Sequence, residues 1–491
     1  MAEQLRPDGE VFVEDVRIVT PNMTGVVEVQ RPQDPGMRGE ELTTDEFFAA
    51  LEAADVQEQL SVVISEHEAT APSEGTRSVG AGDDIELEVP APGDGFGQVL
   101  LYAAENGTLS WHLPVDVPLD QVPTRGGDRR TYRVPRAIVP PVPDPDAGPD
   151  GDDRGVLGAI GKKVLKLLVF PLVDEAVGRA ADFFVSKWEA KNRPSRVRWM
   201  SVPGYDRSTS DSLAAADWDT VREGRALLFV HGTFSTAHGG FGGLDQATMT
   251  ALHEKYDGRV IAFDHPTVSV TPAENADALA ALVPGDEPLE LDLVTHSRGG
   301  LVGREIAAHE AFDVQGVLMV AAPNAGTVLA DKDHLSDLLD RFTNLAQFVP
   351  DTGVTEVLEI VFAVVKQLAV GAVGGLDGLM SMNPDPDQPY LKGLNARPAA
   401  KARLRAIAAD FEPGADSPFG TVVKDAGVDL LFSAADNDLV VPTKGCWDLM
   451  AAGFPIAEDD VLLLPATAAV NHNRYFRNDD VRARLLTWLP S

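Results

Sequence analysis

The spacing of apolar positions changes character near residue 195. Upstream, short runs at 11–19, 60–64, 85–89 and 98–102 alternate with polar residues or cluster, and Gly, Pro and Asp separate them. Short alternating runs between turn residues predict strands, so 1–137 reads as a β-rich accessory domain, a sandwich or barrel. Asn106-Gly107 lies between the runs 99–102 and 109–113 and supplies the residues that a tight hairpin needs. The stretch from Thr44 to Leu60 predicts one helix with Thr44 as its cap. No constellation of catalytic side chains stands out here, and His67 and His112 stand alone.

Residues 138–155 are Pro, Asp and Gly in dense alternation, the composition of a linker. Residues 156–194 predict a helical segment, interrupted at Pro171 and packed on the body that follows. Phe183, Phe184 and Trp188 would be its core contacts. Its first part, 156–168, is basic and amphipathic, so peripheral membrane contact is a second expectation for it.

From 195 to 491 apolar runs at 196–202, 226–230, 259–263, 289–294, 315–320, 428–432 and 461–464 alternate with helical stretches. Apolar strands joined through helices imply a mostly parallel sheet covered on both faces, an α/β architecture. Residues 326–400 exceed an ordinary connection and predict a cap or lid. Within them, 354–370 predicts a long apolar helix whose narrow polar stripe is Glu356, Glu359, Lys366 and Gln367. Gly371, Gly374, Gly375 and Gly378 follow it as a hinge.

Composition narrows the function classes. The 491 residues are 44% hydrophobic, enough for a large core without cross-links. The single cysteine, Cys446, rules out an intrachain disulfide and a cysteine-rich metal cluster. A net charge of −35 argues against a nucleic-acid partner, which needs a basic face. It also disfavours broad attraction to anionic membranes. The first ten residues lack the basic-then-apolar order of a signal peptide, and no uncharged run reaches about 20 apolar residues, so a cytoplasmic protein is expected. No His-Glu-x-x-His site, phosphate loop or dinucleotide fingerprint appears, and no metal or organic cofactor is expected.

The chemistry gathers around 290–304. An apolar strand runs into Thr295-His296-Ser297-Arg298-Gly299-Gly300, after which a helix opens. A serine on a sharp strand-to-helix turn is the setting of a nucleophile elbow, where glycines let two backbones approach. Gly299 would serve that approach, and His296 would support the turn. Acyl transfer by serine also needs a base, a carboxylate to orient it, and backbone donors for the oxyanion. Downstream, Asp436 and Asp438 follow the run 428–432 and compete for the carboxylate role. His472 lies between the last strand and the last helix and is the base candidate. Upstream, the run 226–230 ends in His231-Gly232-Thr233-Phe234. Gly232 lets the chain turn an amide inward, so Thr233 or Phe234 would join the amide of Arg298 as oxyanion donors. His231 would support that loop.

These residues resemble the α/β-hydrolase superfamily, and within it bacterial lipases and esterases. The resemblance rests on His231-Gly-Thr-Phe, Thr295-His-Ser-Arg-Gly-Gly-Leu-Val, Ala321-Ala-Pro-Asn-Ala-Gly-Thr and Asp438-Leu-Val-Val-Pro, and covers roughly 220–491. The elbow form is similar to that of triacylglycerol lipases and the GPI inositol-deacylase-like group. The likeness implies a mostly parallel sheet with helices on both faces and a helical cap. It also implies a serine carboxylic-ester hydrolase that works through an acyl-enzyme on a lipid-like or other apolar acyl ester. It favours Asp438 over Asp436. Two positions depart from the pattern: Thr295 replaces the first elbow glycine, and Asn324 stands where the lipases carry histidine. The same machinery would serve an amidase, a peptidase or an acyltransferase. A non-catalytic interaction protein on a hydrolase scaffold is a third reading. A protein partner for 1–137 stays open.

Overall fold

The computed structural model describes residues 2–7, 9–32, 45–69, 84–104, 108–115, 129–134, 161–172, 183–208, 212–347, 354–385, 387–397, 401–411, 435–449 and 456–489. The N-terminal unit comprises β1 (Ala2–Leu5), β2 (Glu10–Val13), β3 (Val16–Val19), β4 (Met23–Gln30), α1 (Asp45–Ala53), β5 (Gln57–Ala69), β6 (Ile85–Pro90), β7 (Phe96–Ala103), β8 (Leu109–His112), β9 (Arg129–Val134) and β10 (Lys163–Pro171). One sheet runs β1-β4-β5-β10-β7-β8 and a second runs β2-β3-β6-β9, with antiparallel pairing throughout. Alternation puts Val27, Val62, Leu87, Tyr132 and Leu165 into one core shared by both sheets. Of the sandwich or barrel expected, two sheets sharing one core make the sandwich. The expected hairpin joins β7 to β8, with Ala103 opposite Leu109; Asn106-Gly107 itself lies outside the described residues.

Two expectations for this half change. The helix predicted from Thr44 to Leu60 ends at Ala53, because Asp55 takes a left-handed φ of 53° and the alternating run from Gln57 enters the sheet as β5. Thr44 lies outside the described residues. The second change concerns 156–168, which predicts a basic helix. From Lys163 that chain is β10, placed between β5 and β7 in the middle of the six-stranded sheet. Leu165 and Leu167 face the sandwich core, while Val164, Leu168 and Phe170 face a second core made with helices. With both faces covered, apolar residues fall on each side of the strand, which erases the period-2 signal. Residues 163–168 and Phe170 are buried between two strands, and 156–160 lie outside the described residues.

The second half comprises α2 (Phe183–Asn192), β11 (Arg196–Trp199), α3 (Asp217–Val221), β12 (Ala226–Val230), α4 (Ala237–Phe241), α5 (Gln246–Lys255), β13 (Val260–Asp264), α6 (Pro272–Leu282), β14 (Leu289–His296), α7 (Gly299–Ala308) and β15 (Phe312–Val320). It continues with α8 (Leu335–Gln347), α9 (Val354–Ala369), α10 (Asp377–Met380), α11 (Pro389–Ala396), β16 (Arg403–Ala409), β17 (Val461–Leu464) and α12 (Asp479–Trp488). The sheet order is β11-β13-β12-β14-β15-β16-β17. All neighbours pair in parallel except β11, which runs antiparallel to β13. The predicted runs beginning at 196, 226, 259, 289, 315 and 461 become strands. The run 428–432 lies outside the described residues. The strand beside β15 is β16, which apolar runs did not single out.

The insertion between β15 and β16 is helical, as expected for a cap. Its long helix α9 is the meeting place of both halves: its apolar residues share a core with β7, β10 and α8. The polar stripe is used internally. Lys366 Nζ donates to the Ala54 carbonyl at 2.8 Å, Gln367 Oε1 accepts the Val185 N–H at 3.1 Å, and Glu356 accepts from Arg193 at 3.2 Å. Gly378 is needed for close packing: a Cβ there would lie 2.7 Å from the carbonyls of Thr267, Val268 and Val270. Among the described residues no helix is long and apolar enough to cross a membrane.

Candidate active site

Ser297 follows β14 directly and adopts a left-handed φ of 54°, the strained conformation of an elbow. Close packing accounts for the glycines around it. A Cβ on Gly299 would stand 2.3 Å from the Val230 carbonyl and 2.5 Å from that of His231. A Cβ on Gly232 would stand 2.6 Å from the Ser297 Cβ. Thr295 fits in place of the first elbow glycine because Gly303, on the facing turn of α7, leaves room. A Cβ on Gly303 would come within 2.7 Å of the Thr295 Cγ2.

The loops at the carboxyl ends of β14, β16 and β17 bring three side chains into one hydrogen-bonded series. Ser297 Oγ lies 2.9 Å from His472 Nε2, and His472 Nδ1 lies 2.8 Å from Asp438 Oδ2. The Asp438 carboxylate is saturated on its far side: Oδ1 accepts the N–H groups of Val440 (3.1 Å) and Val441 (2.8 Å), and Oδ2 also accepts the Tyr475 hydroxyl (3.0 Å). Burial pushes this carboxyl upward, but the His472 ring and the two amides outweigh it and hold it below the ordinary carboxylate range. Asp436, the competing carboxylate, is exposed.

The acid loop, 435–449, is braced from several directions. The Thr443 hydroxyl donates to the Ala409 carbonyl at the end of β16 (2.6 Å), and that of Thr327 donates to the Val440 carbonyl (2.6 Å). Asn324 lies under the same loop rather than in the cavity. Its Nδ2 donates to the Cys446 carbonyl at 2.7 Å and its Oδ1 accepts from Arg304 at 3.2 Å, so it ties β15 to α7 and the acid loop. Cys446 is buried, and burial raises its thiol well above the usual range.

The oxyanion candidates separate. The Phe234 N–H is engaged with Thr267 Oγ1 at 3.3 Å, and the Phe234 ring packs edge-on against Phe342. Among the described residues the amides of Thr233 and Arg298 donate to no protein acceptor. The Arg298 amide also opens α7, so the helix dipole adds to it. The Arg298 guanidinium points elsewhere and is fully buried, donating to the carbonyls of Gly378 and Val270 and to Asn275 Oδ1.

His231 supports its loop. Its ring stacks on His265 with centroids 4.2 Å apart, Nδ1 bonds to the Gly232 carbonyl, and Nε2 accepts the His265 N–H at 3.2 Å. Burial pushes it down to about 4, so it is neutral. His296 donates from Nε2 to the His472 carbonyl at 2.9 Å and is pushed to about 3 by burial and the neighbouring imidazole. Both histidines buttress the site as neutral rings.

A cavity of about 90 Å³ opens beside His472, His296 and Thr233. Phe234, Phe342, Ala346, Val357 and Phe476 give it an apolar lining, with Arg193, Glu356 and Asn473 among its polar members. Ser297 is 3% exposed and His472 1%, so α8 and α9 of the insertion cover the site closely. Among the described residues no group of acidic, histidine or cysteine side chains could hold a metal ion.

The family model described as Domain of unknown function (DUF7379) matches residues 192–490. The chain belongs to that family. The match begins at the end of α2 and takes in the whole seven-stranded sheet and all three members of the hydrogen-bonded series. No curated protein matches the sequence. Among solved structures the chain is similar to the Bacillus licheniformis lipase BlEst2 in propeptide form, at 19% identity and TM-score 0.33, over 53% of this chain and 50% of that one. It is similar to the phospholipase PlaB from Legionella pneumophila at 14% identity and TM-score 0.30, over 45% of each chain. It is similar to lipase 1 from Pelosinus fermentans at 12% identity and TM-score 0.38, over 53% of this chain and 98% of that one. The chain thus spans about half the length of the first two.

Sequence reasoning missed several residues that shape the site. Tyr475 is one turn from His472, and only that spacing hinted at its bond to Asp438. Glu189 on α2 accepts the N–H groups of Thr267 (2.6 Å), Val268 (2.9 Å) and Ser269 (2.8 Å) and so fixes the loop that holds Phe234. Arg341 and Phe342 on α8 had no local signal at all.

Proposed function

We propose that the protein is a serine carboxylic-ester hydrolase that cleaves apolar acyl esters through an acyl-enzyme. The observation that carries this is the series Ser297 Oγ, His472, Asp438 at 2.9 and 2.8 Å. Ser297 attacks the acyl carbonyl while His472 Nε2 takes the hydroxyl proton. Asp438 holds the proton of His472 on Nδ1 and stabilises the imidazolium that forms. The amides of Thr233 and Arg298 receive the oxyanion, with the α7 dipole behind the second. His472 then returns its proton to the leaving alcohol. Water, deprotonated by the same imidazole, attacks the acyl-enzyme and frees Ser297.

The apolar side of the cavity beside His472, formed by Phe234, Phe342, Val357 and Phe476, supports an acyl chain as its occupant. The decisive measurement pairs p-nitrophenyl esters with the matching anilides and adds a fluorophosphonate probe. Ester turnover and labelling that both vanish in Ser297→Ala are expected. Labelling of another residue, turnover that survives the substitution, or faster anilide than ester cleavage would each refute the reading.

A further inference from the structure

One short stretch of α8 touches the N-terminal sandwich and the site at once. Asp340, Thr343 and Asn344 share one face by helical spacing, and that face meets β8. The Trp111 N–H donates to Asp340 Oδ1 at 2.7 Å and its indole Nε1–H to Thr343 Oγ1 at 3.0 Å. Asn344 closes a pair of bonds with Leu109, accepting its N–H at 3.0 Å and donating to its carbonyl at 2.8 Å. β8 is the last strand of its sheet, so these bonds satisfy an edge that the sheet leaves open.

The two residues between them reach the other way. The Arg341 guanidinium donates to the Leu439 carbonyl, immediately after Asp438. Leu439 has a φ of 84°, a conformation that persists only when its surroundings hold it. Phe342 meets the Phe234 ring edge-on at 4.7 Å and the His472 ring at 6.4 Å. Five consecutive residues therefore link the end strand of the sandwich to the acid loop, the base and the loop that carries Thr233.

We propose that the N-terminal sandwich positions the triad through α8. Docking of the Asp340, Thr343 and Asn344 face on β8 sets where Arg341 holds the acid loop and where Phe342 backs His472. The sandwich then has its partner in the same chain, and its undocking lowers turnover rather than releasing a brake. This inference rests on the serine-hydrolase reading above.

Full-length protein carrying Trp111→Phe or Thr343→Val tests it. The first keeps an aromatic ring and loses the indole donor; the second keeps the side-chain shape and loses the acceptor. Each is expected to lower kcat and the rate of Ser297 labelling by roughly fivefold, with KM within about twofold, because small displacements of reacting groups cost rate steeply. The double variant should be no worse than either single one, since both delete the same bond. Arg341→Met should lose more, on the order of tenfold, and Arg341→Lys should recover part of it. Thermal unfolding separates these effects from a general loss of fold. Variants with native melting and unchanged or raised kcat would overturn the coupling, as would single effects that multiply in the double variant. Failure of the wild-type protein to label at Ser297 would instead sink the underlying reading.

Discussion

Asp438→Asn tests the orienting role proposed for the carboxylate, with little change in shape. In the native loop, Oδ1 accepts the N–H groups of Val440 and Val441, so only an oxygen fits that side. The asparagine carbonyl must therefore occupy the Oδ1 position, and its NH₂ must occupy the Oδ2 position. That NH₂ faces Tyr475 Oη and His472 Nδ1, which now have to accept. A neutral His472 that accepts at Nδ1 carries its proton on Nε2, toward Ser297. It can then no longer take the serine proton. The wrong tautomer costs about four orders of magnitude in kcat, or about 5 kcal/mol of barrier. Folding should survive, because every buried polar atom of the new side chain has a partner. Steady-state hydrolysis of a p-nitrophenyl ester, with urea unfolding alongside, gives both numbers. Asp436→Asn, at an exposed position, should stay within about twofold. The reasoning fails if Asp438→Asn folds normally and retains a tenth or more of the native kcat, or if Asp436→Asn carries the loss.

Other substitutions probe the scaffold. Gly299→Ala drives a Cβ to 2.3 Å from the Val230 carbonyl, and backbone cannot yield as a side chain can. A loss of about 3 kcal/mol is expected from the urea midpoint, the upper end of overpacking costs, together with slower Ser297 labelling. Acid should destabilise the protein through its buried histidines. His231 is held at about 4 and His296 at about 3, both chiefly by burial, and His265 lies well below its usual value. The unfolded chain protonates these rings near 6.5 and the native chain does not. Their stabilisation is therefore complete above that pH and is lost progressively as pH falls, down to about 4 for His231 and about 3 for His296. For His231 the loss across that window is roughly 3 kcal/mol. Urea unfolding at pH 7.5, 5.5 and 4.5 should show a shallower pH slope in His231→Gln than in the wild type, and equal slopes would refute the assignment.

Much of the site is legible in the chain because its parts sit in local turns. A strand, a small-residue turn and a helix announce Ser297, and the last strand and last helix bracket His472. Strand ends collect at one edge of a parallel sheet, so chain order alone brings these positions near each other. What local pattern cannot convey is who holds those turns. Arg341 lies on α8, nearly 100 residues before Leu439, and Glu189 lies 78 before Thr267. Phe234 looks as good an oxyanion donor as Thr233 until Thr267 Oγ1 is seen to accept its amide.

The misread strands follow from the same limit. In β10, Lys163 and Lys166 are spaced as on one face of a helix, and the residues between are apolar. In the strand those lysines point to opposite sides and each finds its partner indoors. Lys163 Nζ bonds to the Tyr102 hydroxyl at 3.1 Å, and Lys166 Nζ to Glu58 at 2.7 Å. A helical rhythm and a two-sided strand with internal partners look alike without those partners. β16 fails for the opposite reason. Its alanines carry little strand propensity. Arg403 and Arg405, two apart and so on one face, both pair with Asp460, the residue just before β17. The acid loop leans on this strand: Thr443 is tied to the carbonyl of Ala409, so Asp438 owes its place at the sheet edge to β16. The Asp438 carboxylate thus depends on a strand whose reason to form lies in its neighbours β15 and β17 rather than in its own residues.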